Sequence, residues 1–156
     1  QVASQIFPYC DSYTACDASS TILEIVSRKF NSDKLRFVHL DICEDNIPKA
    51  ELGTIRQVLQ HLSNEDIQSF VNHLNTYVPF KFLIVSEHLP KGDFVPNKDK
   101  PSDRETRIKK KYGCSGVDLA ANPFNLFYKS STILCESPTH NIMGVQGIIR
   151  TTLYEF

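Results

Sequence analysis

Residues 47–63 read IPKAELGTIRQVLQHLS, and how this stretch is divided decides the fold. Its part ELGTIRQV, residues 51–58, reads as a strand that passes directly into a helical segment. SNEDIQSFVNHLNTY, residues 63–77, follows as a helix: Ser63 stands at the cap, Asp66 makes a short relative of the capping box, and Ile67, Phe70, Val71 and Leu74 form the apolar stripe. FKFLIVSEHLP, residues 80–90, is then a nearly continuous apolar run closed by Glu87 and His88. That is the pattern of a strand buried on both faces, as in a parallel sheet covered by helices.

The chain upstream repeats the alternation. QVASQIFPYC, residues 1–10, sets Val2, Ile6 and Phe7 at helical spacing and breaks at Pro8. SYTACDA is a short strand ending in Asp17, with Ser19 or Ser20 as the cap of a helix that places Ile22, Leu23, Ile25, Val26 and Phe30 on one face. LRFVHLDI, residues 35–42, is a second strand ending at Asp41, followed by a polar loop. Strands alternating with helices predict an α/β domain with a mostly parallel sheet.

Beyond residue 90 the character changes. Between Lys91 and Lys111 the chain holds eight Lys or Arg against four acids, a local formal charge of +4. The whole segment 91–127 is expected to be a lid or substrate-loop insertion, because it lacks regular apolar periodicity. Its Phe124 and Phe127 either cap a small-molecule pocket or anchor the loop to the core. STILCES and GIIRTTLYEF, joined by PTHNIMGVQ, predict a C-terminal antiparallel hairpin.

Composition bounds the function classes. One domain spanning 1–156 is the default for this length. A formal net charge of −1 gives no overall pull toward nucleic acid. The cluster Lys109, Lys110 and Lys111 is read as a solvated face, since no aromatics are interleaved with it at stacking spacing. Five scattered cysteines without a CxxC pair argue against a disulfide framework and against a zinc site, and fit a reducing cytoplasm. No apolar run reaches the roughly 18 residues of a membrane span.

The order of these parts, with strands ending in Asp17 and Asp41, then IPKAELGTIRQVLQHLS, then FLIVSEHLP and a terminal antiparallel hairpin, resembles the class I S-adenosylmethionine-dependent methyltransferases. The resemblance covers almost the whole chain and implies a Rossmann-like sheet in the order 3-2-1-4-5-7-6, with the seventh strand antiparallel. It also implies S-adenosylmethionine as cofactor, bound at the carboxyl ends of the first strands. Asp17 then looks like the acid that accepts hydrogen bonds from the ribose, with Ala18 and Ser19 beside it; Asp41 looks like the residue near the adenine amino group, with Ile42 against the adenine face. Arg56 and Gln57 look like the lining of the methionine and acceptor side.

His61, Glu87 and His88 are the candidate catalytic residues: the two histidines as general bases where the acceptor is a hydroxyl or amine that must lose a proton, and Glu87 and His88 as substrate contacts at the end of a buried strand. Three of the candidate residues have a plainer reading. Asp17 also suits a plain strand-to-helix cap, Arg56 a structural ion pair, and His61 a helix surface. The expected acceptor is a small molecule, and no metal is required.

One departure stands out. The family's first strand and its GxGxG-like loop belong before residue 1, yet the first glycine of this chain is Gly53. In the family's order that strand would lie between the one ending at Asp17 and the one containing Gly53, so its absence predicts two half-sheets with no hydrogen-bonded seam. The expectation is therefore an N-terminally incomplete domain, a piece of a longer protein or one completed by another chain, and an unpaired edge would favour a homo-oligomer. A catalytically silent methyltransferase-like binding or scaffold module is the alternative.

Overall fold

The computed structural model describes residues 2–102, 105–108, 115–142 and 145–156. It divides into two compact units, Gln1–Ile47 and Pro48–Phe156.

The first unit opens with helix α1 (Val2–Ile6), which passes into a 3₁₀ turn, Phe7–Tyr9, at the expected Pro8. Strand β1 (Tyr13–Asp17), helix α2 (Ser20–Ser27) and strand β2 (Leu35–His39) form a β-α-β element. β1 and β2 are parallel, running from Tyr13 opposite Leu35 to Asp17 opposite His39. The cap of α2 is Ser19, whose hydroxyl accepts the Ile22 N–H. Phe30 reaches back to Phe7 in an edge-on ring contact, with centroids 6.5 Å apart. Among the described residues of this unit, Leu40 is the one buried apolar side chain.

The second unit contains strand β3 (Ala50–Arg56), a 3₁₀ turn (Leu59–His61), helix α3 (Asn64–Tyr77) and strands β4 (Phe80–Pro90), β5 (Ser130–Ile142) and β6 (Val145–Glu155). They form one sheet in the order β3-β4-β6-β5. β3 and β4 are parallel; β6 is antiparallel to both β4 and β5. α3 has the full reciprocal capping box between Ser63 and Asp66, and its whole predicted stripe, Ile67, Phe70, Val71 and Leu74, is buried. Leu83, Val85 and Leu89 of β4 and Tyr154 of β6 are core residues as well.

The six strands thus make two hydrogen-bonded sheets, β1-β2 and β3-β4-β6-β5. In the order 3-2-1-4-5-7-6 these are the pair 3-2 and the run 4-5-7-6, so the first strand of that order has no counterpart among the described residues. The α/β class, the parallel pairing and the antiparallel C-terminal hairpin all agree with the sequence. The hairpin strands are longer than their apolar runs; its turn at 143–144 lies outside the described residues, as does the basic cluster 109–111. Among the described residues no helix is long and apolar enough to cross a membrane.

The segment 91–127 enters the core where it is described. Ile108, Val117, Leu119, Phe124 and Leu126 are all buried, whereas Phe127 is exposed. Asn97 ties the segment together from a left-handed backbone (φ 60°). Its amide donates to the carbonyls of Asp118 and Asn122, both at 2.8 Å, and its Oδ1 accepts the Asp118 N–H at 2.8 Å.

Candidate functional site

In the first unit, two acids sit where parallel strands release the chain. Asp17 ends β1 and is exposed. Its Oδ1 accepts the Ser19 N–H at 2.8 Å, shaping the turn into α2, and its carbonyl accepts the Leu40 N–H. Asp41 lies two residues past β2, half-buried, in a turn of its own making: Oδ1 accepts the Cys43 N–H at 2.9 Å, and Asp45 Oδ2 accepts the Asp41 N–H at 2.8 Å. Ser19 and Ile42 are half-buried beside these acids and Ala18 is exposed. Short-range Asx turns, rather than burial, fix both carboxylates at the carboxyl ends of their strands.

In the second unit, the carboxyl ends of β3 and β4 bring together Arg56, Gln57, His61 and Glu87. Arg56, exposed, is opposite Ser86 in the ladder. Gln57 is half-buried and left-handed (φ 53°), and its N–H donates to the Ser86 carbonyl at 2.8 Å. A non-glycine residue in that region is held there against its preference by its surroundings. This reversal stops the helical run expected from residue 58, leaving the single 3₁₀ turn Leu59–His61 before α3 restarts at Ser63. His61 is exposed on this turn, its Nε2 3.2 Å from Gln60 Nε2.

Glu87 accounts for the turn. Its Oε1 accepts the N–H groups of Val58 at 3.0 Å and Leu59 at 2.9 Å. The side chain is buried and Oε2 has no hydrogen-bond partner. Burial raises its pKa to about 7, against the opposing pull of the backbone N–H donors and of the Arg107 charge.

His88 points to the opposite face of β4, as strand alternation requires. Its Nε2 is 3.3 Å from the Thr139 hydroxyl on β5, and the ring reaches it across β6 at Gly147, where a Cβ would run into the imidazole. Burial lowers the His88 pKa, so the neutral ring is favoured, and Nδ1 is buried without a partner.

Sequence reasoning missed Arg107, a fully buried cation in the polar segment. Its guanidinium donates to Asn64 Oδ1 at 2.9 Å, to the Lys98 carbonyl at 3.0 Å and to the Leu62 carbonyl, with Asp99 3.9 Å away. Thr106 donates its hydroxyl to the Gln60 carbonyl at 3.0 Å. The only hint in the sequence is an arginine next to an apolar residue in a Lys-rich run, which reads equally well as solvated surface. Among the described residues, no group of three His, Cys, Asp or Glu is placed to hold a metal.

No protein-family model matches the sequence, and no curated protein matches it. Solved structures do. The N-methyltransferase NodS from Bradyrhizobium japonicum WM9, in complex with S-adenosyl-l-homocysteine, matches with a TM-score of 0.61 at 9% identity, over 98% of this chain and 71% of its own. The methyltransferase domain of bacterial CtHen1 matches with a TM-score of 0.55 at 13% identity, over 94% of this chain and 78% of its own. Magnesium protoporphyrin IX methyltransferase (ChlM) from Synechocystis PCC 6803, with bound SAM, matches at 0.51 and 16% identity, over 97% of this chain and 65% of its own. The chain has the class I methyltransferase fold.

Proposed function

We propose that this chain serves S-adenosylmethionine-dependent methyl transfer to a small-molecule acceptor. The observation that carries this reading is the pair of acids, Asp17 and Asp41, at the carboxyl ends of two parallel strands in this fold. The donor set fits such a cofactor. Exposed or half-buried carboxylates, each steadied by one backbone N–H, suit ribose hydroxyls and an adenine amino group, which are hydrogen-bond donors.

In this reading Asp17 accepts the ribose hydroxyls, with Ala18 and Ser19 alongside, while Asp41 and Ile42 take the adenine edge and face. S-adenosylmethionine would supply the methyl group on a positively charged sulfonium, ready for in-line displacement. The residues of this chain then contribute by orientation and by excluding water, rather than by covalent chemistry. Arg56 and Gln57 serve the methionine and acceptor side. His61, the exposed imidazole of the turn, takes the acceptor's proton where one must leave; Glu87, buried, acts by setting the backbone around it, while His88 packs on the other face of β4 beside Thr139.

Calorimetric titration of the full natural polypeptide with S-adenosylhomocysteine tests this reading, with Asp17→Asn as the sharper variant. Asparagine retains an acceptor for the Ser19 N–H but loses the charge. Binding by the parent, weakened by ~1 to 3 kcal/mol in the variant, is expected for loss of a charge-assisted hydrogen bond. No binding by a well-folded parent would sink the reading and leave a scaffold module.

A further inference from the structure

The backbone from Gln57 to Asn64 is gripped from two sides by buried polar groups. On one side Glu87 Oε1 takes the Val58 and Leu59 N–H groups. On the other, Thr106 and Arg107 take the carbonyls of Gln60 and Leu62, and Arg107 also holds the Asn64 side chain.

Three atoms of this grip are incomplete, one of them a donor, Arg107 Nε. Glu87 Oε2 and Gln60 Oε1 are both buried acceptors without a hydrogen-bond partner. A buried carboxylate oxygen with no donor is costly, as is a buried amide oxygen with none. A proton on Oε2 removes the buried charge and leaves Oε1 free to keep both N–H bonds. The nearby charges do not reverse this balance. Arg107, on the polar segment, attracts the charged form, but its Nη1 and Nη2 groups are turned to Asn64, Leu62 and Lys98 with Asp99 nearby, and its pull is smaller than the opposing effect of burial. His61 is exposed on the turn, His88 faces the other side of β4, and Arg150, opposite Glu87 on β6, is paired with Glu136 at 2.7 Å.

We propose that Glu87 works as a protonated carboxylic acid, a positioning residue whose single buried proton holds the turn 58–60 against β4 while Arg107 anchors its far side. The turn is then an acid-held latch. Opening it hydrates Glu87, which then ionises, so opening becomes easier as pH rises. That the latch sets the acceptor side rests on the methyl-transfer reading; the latch itself does not.

Hydrogen exchange at the Val58 and Leu59 amides, corrected for intrinsic rates and followed from pH 5 to pH 9, tests it in the full chain without cofactor. Wild type should be protected in acid, lose protection by up to about tenfold per pH unit as pH rises toward neutrality, and level off above it, the slope being that of one linked proton. Glu87→Gln, neutral at every pH, should hold flat protection. Protection that rises with pH, a flat wild-type profile, or a Glu87→Gln protein that unlatches in acid would each overturn the proposal. A second readout does not depend on the variant's stability: the infrared spectrum at pH 6 should contain a protonated-carboxyl stretch that moves on glutamate ¹³C labelling and vanishes in mild base, and its absence would also overturn it. Cofactor binding is separate from both readouts, so the latch and the methyl-transfer reading can fail independently.

Discussion

The two strand–helix–strand stretches, 13–39 and 50–90, begin from similar sequence signals and end in different energetic states. Both helices have a serine cap and an apolar stripe, yet all four stripe residues of α3 are buried and α2 has no buried residue. Ile22 and Ile25 of α2 are 47% and 45% exposed. The difference lies in what is available to cover each stripe. α3 belongs to the unit with the four-stranded sheet and the buried side chains of the 91–127 segment, while among the described residues of its own unit α2 has a two-stranded ladder. A two-stranded element rarely buries enough apolar surface to be independently stable. Periodicity therefore reveals that a helix forms, but not whether its face has anything to bury against.

The comparison can be broken at its strongest point first. Phe70→Ala, which removes a ring 1% exposed, should destabilise the chain by about 3–5 kcal/mol in a denaturant titration. A loss below about 1 kcal/mol would deny that the second unit's core is well packed.

The next effect is on pH dependence. Glu87 has a folded pKa of about 7 against an ordinary value of 4.5. Between those values the folded chain retains a proton that the unfolded chain has released, so stability falls as pH rises through this window and is unaffected by Glu87 below it. The fall should amount to as much as about 3 kcal/mol and be absent in Glu87→Gln, as read by urea unfolding at pH 4.5 and pH 7.5. An unchanged pH profile in the variant would assign the titration elsewhere.

A smaller effect has the opposite sign. Val78 ends α3 in a left-handed conformation (φ 42°) that β-branched residues avoid. Val78→Gly should raise stability by about 1 kcal/mol, and a loss of stability would mean that the exposed valine has packing value. Smallest of all, Ile25→Ala on the uncovered face of α2 should change stability by no more than about 0.5 kcal/mol. A loss of several kcal/mol there would erase the contrast between the units.

Much of the scaffold was legible in the sequence. The ends of β4 at Phe80 and Pro90, the Ser63–Asp66 capping box and the Ser19 cap all follow from local residue chemistry. The division of strands into two ladders was instead expected from the strand order that the family resemblance implies, which sets a further strand between the one ending at Asp17 and the one containing Gly53. What the sequence hid depends on partners far along the chain. Residues 58–61 look like a helix start, but Glu87, 29 residues from Val58, takes the N–H groups that begin the turn, and Gln57 reverses the backbone before it. Asn97 and Arg107 were hidden for the same reason. A polar loop rich in lysine reads as solvated, and only the fold shows which of its polar groups have carbonyls waiting for them. The candidate site divides likewise: Asp17 and Asp41 lie at strand ends as read, whereas the buried setting of Glu87 emerges only from packing.

The most direct measurement is residue-resolved hydrogen exchange of the full natural polypeptide, with and without S-adenosylhomocysteine. The first unit, with little core of its own, should reveal a ligand more clearly than the second. At a ligand concentration of 100 times Kd, the amides around Asp17–Ser19 and Asp41–Cys43 should slow by up to about a hundredfold, with little change in α3. Unchanged exchange at both acids would contradict the account, because a nucleoside held by those carboxylates must order the turns they shape.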